Sequence, residues 1–218
     1  MIVIAAEAVN ARAPAGARST EPLEALAAAI REAGPIRGGL VPFTHVDGRL
    51  VAADPVGADP LAAVLVGSLR DGVPPVRWGI VVDDTGRWRT AGPVPPARDD
   101  GRAARALLDI AGPALDIARS RRELLVIRTG DPGADGLLDA TAPLLAGLLG
   151  ELSPRQRILA RMLLLDGLRQ ADAADVLGVS RATVSVMVAR GRIRAIERLA
   201  GAVRAIVAAA QQAGGAAR

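Results

Sequence analysis

Residues 152–192 read LSPRQRILARMLLLDGLRQADAADVLGVSRATVSVMVARGR, and this stretch decides the fold of the last third of the chain. Ser153–Gln156 has the pattern of a capping box with proline at the first helical position, which predicts that a helix begins there. Asp166–Gly167 predicts its end. The residues predicted to form its buried face are Ile158, Met162 and Leu165.

Two more helices are predicted by the same kind of local signal. Gln170–Leu177 is the second helix, and Gly178 allows the left-handed turn that ends it. Ser180 caps the third helix, and Val179 is expected to plug the turn between the two. The residues expected to face inward are Ala173, Ala174 and Leu177 in the second helix and Val184, Met187 and Val188 in the third.

This arrangement predicts a helix-turn-helix, because a small residue at the helix crossing and a glycine at the bend leave the third helix free to enter the major groove of DNA. We expect Arg181 to read guanine and Thr183 or Ala182 to touch a thymine methyl group. Arginines near the end of this helix, including Arg194, are expected to hold phosphates. The predicted DNA-binding residues are Arg169, Gln170, Ser180, Arg181, Ala182, Thr183, Ser185, Val186, Arg190 and Arg192. The alternative is a helical hairpin that packs only against protein.

The leading "LSPRQR" and the later "AADVLGVSRATVSVMV" resemble the helix-turn-helix of the LuxR and sigma-factor region 4 type. The resemblance covers roughly 45 residues. It implies the fold and contact with double-stranded DNA, and it implies no particular operator. No segment resembles a promoter-melting region, so a sigma-like role is the weaker interpretation.

Positive charge is concentrated in the same region. Residues 151–218 contain 11 Arg and 5 acidic residues, whereas residues 1–150 contain 16 Arg and 18 acidic residues. A polyanion is therefore expected to dock on the last third. The chain has no cysteine, which excludes disulfides and thiolate metal sites. Its aromatic residues are only Phe43, Trp78 and Trp88, too few for a stacking platform for single-stranded nucleic acid.

An apolar stripe continues after Gly191 at spacings of three and four residues. It predicts either a dimer helix, which would place two reading helices on a two-fold axis, or a helix that packs on its own domain. We expect a homodimer. The tail, residues 213–218, is predicted to be disordered. The stripe consists of Ile193, Ile196, Leu199, Ala200, Val203, Ile206 and Val207.

Short apolar runs alternate with helical patterns over the first 150 residues. They predict an α+β fold, with a sheet domain at 1–150 followed by an all-α helix-turn-helix domain at 151–212. The predicted strands are Ile2–Ala6, Leu40–Val46, Arg49–Ala53, Val76–Val82, Arg87–Thr90 and Leu124–Arg128, with turns at Asp47-Gly48 and Asp83–Gly86. The predicted helices are Glu21–Ala33, a helix capped by Asp59 with Pro60 first and ending near Leu69, Arg102–Arg119 with an interruption at Gly112-Pro113, and Leu137–Leu149. Residues 91–101 are expected to be a loop.

The opening "VIAAEAVNAR" is similar to the start of the SatD family, proteins with a cyclase-like domain followed by a helix-turn-helix. Further matches are "PFT" at 42–44, "VRWGIVV" at 76–82 and "GPALDIAR" at 112–119, before the "LSPRQ" already described. The order of these segments fits nearly the whole chain. The resemblance implies a ferredoxin-like sheet related to class III nucleotide cyclases and GGDEF-type domains.

The cyclase resemblance raises an enzymatic hypothesis that can be weighed at two residues. Cyclase chemistry uses two carboxylates to hold metal ions that bridge nucleotide phosphates. The resemblance places Glu7 at the first acid, but it places Arg49 at the second, with Asp47 able to substitute only after a register shift. We therefore expect no enzymatic activity, no metal and no cofactor. His45 stands alone and is expected to be structural.

Together these observations predict a DNA-binding transcription regulator whose N-terminal domain senses a small-molecule or protein effector, docks a partner or dimerises. The alternative is a nucleotide-acting, cyclase-like enzyme tethered to DNA. No membrane-spanning run and no signal peptide are recognisable, so we expect a soluble, cytoplasmic protein.

Overall fold

The computed structural model describes residues 1–9, 21–33, 43–54, 59–70, 73, 75–82 and 100–216. The strands are β1 (Ile2–Ala8), β2 (Thr44–Val46), β3 (Arg49–Asp54), β4 (Val76–Val82) and β5 (Leu125–Arg128). The helices are α1 (Glu21–Ala33), α2 (Ala62–Leu69), α3 (Asp100–Ser120), α4 (Pro132–Gly150), α5 (Pro154–Leu164), α6 (Gln170–Leu177), α7 (Arg181–Arg190) and α8 (Ile193–Ala216). The fold is α+β, as predicted, with a mixed sheet followed by helices.

The five strands form one sheet in the order β2-β3-β1-β4-β5. All neighbours are antiparallel except β4 and β5, which are parallel because α3 crosses between them. The predicted turn between β2 and β3 is confirmed, since Asp47 and Gly48 both have positive φ angles, of 49° and 68°. The register places Glu7 of β1 opposite Arg77 of β4.

The two faces of the sheet are covered by different helices. Val3, Ala5 and Val126 pack against α3 on one face. Ile2, Ile4 and the other alternate residues pack against α1, α2 and α4 on the opposite face. Gly79 allows α3 to approach β4 closely, because a Cβ atom there would lie 2.5 Å from the backbone nitrogen of Leu115.

The helical part is joined to the second face of the sheet by a continuous hydrophobic core. That core runs from Ile2 in β1 to Val207 in α8, and it includes α4 and α5. Arg204 of α8 also donates to both carboxylate oxygens of Asp59, at 2.9 and 2.6 Å, just before α2. The boundary predicted at residue 150 coincides with the end of α4, yet the core crosses it.

Several predicted elements differ from the structure in extent. α3 is not interrupted at Gly112-Pro113, because the proline lies on the exposed side while Leu108, Ala111 and Leu115 anchor the helix on the sheet. α3 begins at Asp100, so residues 100–101 of the predicted loop are helical. α4 begins at Pro132 instead of Leu137, because Asp131 caps it by accepting from the backbone N–H of Ala134.

Two helix ends also differ. α2 begins at Ala62, two residues later than predicted, because Asp59 uses its side chain in a tight turn to the backbone N–H of Leu61. α8 continues through Ala216, so residues 213–216 of the predicted disordered tail are helical, while 217–218 lie outside the described residues. Leu40–Pro42 and the turn and strand predicted at 83–90 also lie outside them. No helix in the described part is long and apolar enough to cross a membrane.

Candidate nucleic-acid interface

α5 begins with the capping box expected from its sequence. The Ser153 hydroxyl accepts from the backbone N–H of Gln156 at 3.4 Å, and the Gln156 side chain accepts from the backbone N–H of Ser153 at 2.9 Å. The buried residues of α5 are Leu159, Ala160 and Met162. The predicted face was therefore shifted: Met162 is buried, but Ile158 and Leu165 are only partly buried, because the sheet domain covers a neighbouring face of α5.

The turn between α6 and α7 has the geometry that the glycine predicted. Gly178 has φ of 63° and ψ of 33°, a left-handed conformation that other residues adopt only with strain. The backbone N–H of Val179 bonds the carbonyl of Ala174 at 3.0 Å and closes the turn. The prediction that Val179 plugs the turn is wrong, because its side chain is 37% exposed. Ala174, predicted as the small residue at the helix crossing, is fully buried.

One side of α7 packs against the hydrophobic core, and the other side is exposed to solvent. Its cap is the Ser180 hydroxyl, which accepts from the backbone N–H of Thr183 at 3.1 Å. Val184 and Val188 are buried and Met187 is partly buried, as predicted. The opposite face is open to solvent, with Arg181, Ala182, Thr183, Ser185, Val186 and Arg190 all exposed.

The remaining predicted contacts lie at the two ends of this face. Arg169 is exposed just before α6, Gln170 is partly exposed at its first position, and Ser180 is exposed but engaged in the cap. Arg192 lies after α7 with its guanidinium 3.6 Å from the carboxylate of Glu151. Because both side chains are well exposed, this ion pair is weak and leaves Arg192 available to a stronger anion.

The sequence did not predict the groove between α5 and α7. This groove lies between the exposed face of α7 and the first residues of α5. Arg155 and Gln156 line it on the α5 side, opposite Thr183, Val186 and Arg190. The capping box placed Arg155 at the start of a helix, but only the packing of α5 against α7 brings it beside the predicted reading face. Arg155 is exposed and carries no ion pair within the described residues.

A second site contains Glu7, the carboxylate that the cyclase resemblance places at the first metal-binding acid. Glu7 is 7% exposed and lies on the α3 face of the sheet. It accepts from Arg77 Nη1 at 2.7 Å and from Arg119 Nε at 3.1 Å, with a further contact from Arg119 Nη2. Arg49 adds a third guanidinium, 3.7 Å away. Burial alone would raise the pKa of Glu7, but the hydrogen bonds from Arg119 and Arg77 hold it below its ordinary value.

These contacts do not fit a metal site. The two oxygens of Glu7 are already engaged by guanidinium groups, and the added positive charge would repel a divalent cation. Asp47, the candidate second acid, contacts Arg105 on the exposed surface instead. Within the described residues, no group of three or more His, Asp or Glu side chains could hold a metal ion. His45 is exposed on β2.

Residues 144–194 match the family described as Sigma-70, region 4. The match begins in α4, covers α5, α6 and α7, and ends at the start of α8. It supports a helix-turn-helix of the sigma type in this part of the chain, which agrees with the geometry of the turn at Gly178. Comparison with curated proteins and with solved structures finds no significant match.

Proposed function

We propose that the protein is a transcription regulator that binds double-stranded DNA and inserts α7 into the major groove. The observation that carries the proposal is the open face of α7, flanked by arginines, within a region that matches Sigma-70, region 4. The N-terminal residues of such a helix lie nearest the base edges. Arg181 is therefore the proposed guanine reader, and Thr183 or Ala182 contacts thymine.

Phosphate contacts are proposed on both sides of the reading face. Arg190 lies at the end of α7, and Arg155 lies across the groove at the start of α5. The first backbone N–H groups of α5 carry partial positive charge, which favours a phosphate at the same place. Gln170 and Arg169 at the start of α6 extend this surface. Arg192 and Arg194 are proposed as further phosphate contacts.

The experiment is a selection of binding sites from genomic DNA fragments with the wild-type chain and with Arg181→Ala. We expect Arg181→Ala to weaken binding to the selected site by about 1–3 kcal/mol and to relax base preference at one position. Arg102→Ala is the matched control, because it removes the same charge from an exposed site in α3, on the opposite face of the sheet. Unchanged affinity and base preference in Arg181→Ala would reject the assigned reading face.

We also propose that the sheet domain is a non-catalytic, cyclase-like domain of the SatD type. The strand order β2-β3-β1-β4, antiparallel throughout, with α1 and α2 as the connections, is the arrangement of a ferredoxin-like sheet and supports this relationship. The guanidinium groups around Glu7 argue against the alternative, a nucleotide-acting enzyme. The domain then serves to sense an effector, dock a partner or dimerise.

The homodimer stays a prediction, and most of the apolar stripe of α8 is covered within the chain itself. Ile196, Ala200, Val203 and Val207 are buried in the chain itself, and α8 packs along α4. The stripe therefore packs both on α7 of its own predicted domain and on α4, which the predicted boundary assigns to the sheet domain. Light scattering of the purified chain, alone and with DNA, measures whether another surface pairs two copies.

A further inference from the structure

A cavity of about 240 Å³ lies between the sheet domain and the first helix of the helix-turn-helix. Its walls come from α2, β4, α4 and α5. Val64, Trp78 and Leu149 form an apolar lining, and Ser68 and Arg157 contribute polar groups. Most small-molecule sites have this composition, with a largely apolar wall and a few polar groups that fix orientation.

The size and rigidity of the cavity suit an aromatic ring. An apolar cavity of about 150 Å³ holds benzene, so this one has room for a ring and a short substituent. The Trp78 ring, 2% exposed, is fixed by its neighbours. A Cβ atom at Gly67 would lie 2.9 Å from Cζ2 of Trp78 and 2.7 Å from Cδ1 of Leu26, so only glycine leaves both side chains in place.

The main polar feature of the cavity is the side chain of Arg157. The Nε atom of Arg157 is buried and has no hydrogen-bond partner. No carboxylate of the described residues pairs with Arg157, whereas Arg161, one turn later in α5, lies 3.9 Å from Asp166. A buried N–H of a cation without an acceptor is unfavourable. Because Arg157 lines the cavity, an anionic group bound there lies beside a cation that no carboxylate of the described residues neutralises.

We propose that this cavity binds a small aromatic carboxylate, with the ring against Trp78 and Leu149 and the carboxylate accepting from Arg157. Arginine suits this role because its planar guanidinium can donate two parallel hydrogen bonds to a carboxylate. Trp78 belongs to the sheet and Arg157 to α5, so one ligand contacts both parts of the chain. The proposal does not depend on DNA binding, and its test contains no DNA.

The probe is phenylacetate, and phenylacetamide is its neutral counterpart of the same shape. The experiment uses the full chain with Trp88→Phe, which leaves Trp78 as its single tryptophan. We expect phenylacetate to change the Trp78 fluorescence saturably. Phenylacetamide should bind about tenfold more weakly, because it lacks the charge-assisted hydrogen bond.

Three variants of the Trp88→Phe chain test whether the fluorescence change comes from binding in this cavity. Arg157→Gln should weaken phenylacetate binding about tenfold and leave phenylacetamide binding nearly unchanged. Arg161→Gln, the matched control on the same helix, should bind both probes as the parent does. Ala146→Met, which places a larger side chain on the cavity wall, should lose both probes. Circular dichroism establishes that each variant is folded.

The proposal is overturned by any of three results with folded protein. These are the absence of a saturable change at millimolar phenylacetate, equal affinity for phenylacetate and phenylacetamide, and binding that survives both Arg157→Gln and Ala146→Met. The weaker DNA binding and relaxed base preference expected of Arg181→Ala test the proposed function separately, since Arg181 lies on α7 and does not line the cavity.

Discussion

Replacing Glu7 by glutamine removes the negative charge at the centre of the arginine cluster while keeping the shape of the side chain. In the wild-type chain this carboxylate faces Arg77, Arg119 and Arg49. After the substitution these guanidinium groups repel one another. Among the described residues, Asp116 is the carboxylate left to offset them, at 2.8 Å from Arg119 and 3.8 Å from Arg49.

The expected cost follows from burial. Removing one partner of a buried ion pair costs about 3–5 kcal/mol, because the remaining charge is left uncompensated. Glu7 is well buried, but Arg119 is 41% exposed, so we expect the low end of that range. For a chain of this size about 3 kcal/mol corresponds to a fall of roughly 6–12 °C in Tm.

The assay is thermal unfolding followed by circular dichroism, as a function of pH. Because the folded pKa of Glu7 is lowered, its stabilising contribution is fully present above the ordinary pKa of 4.5. That contribution is lost as the pH falls through the folded value. The difference in unfolding free energy between wild type and Glu7→Gln should therefore be largest near neutral pH and shrink in acid. Asp139, whose pKa burial would raise but hydrogen bonds from Arg128 and Arg121 lower, loses its contribution in both chains and cancels in the difference.

Glu32→Gln is the matched control. Its carboxylate pairs with Arg70 at 2.7 Å but is 71% exposed, so the same change should cost less than about 1 kcal/mol. If Glu7→Gln is as stable as the control at neutral pH, the arginine cluster does not depend on the charge of Glu7. If Mn²⁺ raises the Tm of wild type and not of Glu7→Gln, Glu7 holds a metal, which contradicts its role as the partner of these arginines.

Three further predictions concern the helical part. Gly178→Ala should lower the free energy of unfolding by about 1–2 kcal/mol, because alanine is strained at this positive φ. Gly201→Ala, at an exposed helical site with open space, should instead raise it by about 0.5–1 kcal/mol. Denaturant unfolding measures both changes, and equal effects would contradict the left-handed geometry of Gly178. Asp59→Ala and Arg204→Ala should show a coupling energy of about 1 kcal/mol in a double-mutant cycle, since the ion pair is bidentate but partly exposed. Additive effects would mean that this ion pair does not help to hold α8 against the sheet domain. Arg190→Ala should weaken binding to all DNA sequences alike and reduce the salt slope by about one, and a change in base preference would instead make it a base contact.

The sequence predicted the helix-turn-helix well because its signals are local. A cap such as Ser180 and a left-handed glycine such as Gly178 act within one turn of backbone. The errors arose where packing over long distances decides. Val179 is exposed because Ala174 already fills the crossing, and Pro113 does not break α3 because the helix is anchored on both sides of it.

Each of the two sites contains some residues that the sequence predicts and others that only the folded structure brings in. The exposed face of α7 follows from its own pattern of buried residues, but the groove with Arg155 depends on how α5 packs. Likewise, the cyclase resemblance implied that Arg49 lies near Glu7, whereas Arg119 comes from α3, 112 residues along the chain. Contacts of that kind need the topology of the sheet.

The proposed function depends most on α7 lying against the bases of a DNA duplex. The chain has no cysteine, so Ser185→Cys on the open face of α7 can carry a single iron chelate that cleaves DNA near its own position. Ser120→Cys, exposed at the end of α3 on the opposite face of the sheet, carries the same label as the control. We predict cleavage confined to the bound site from the label at 185 and none from the label at 120. Intact binding with no cleavage from position 185, or with cleavage from position 120 alone, would contradict the account.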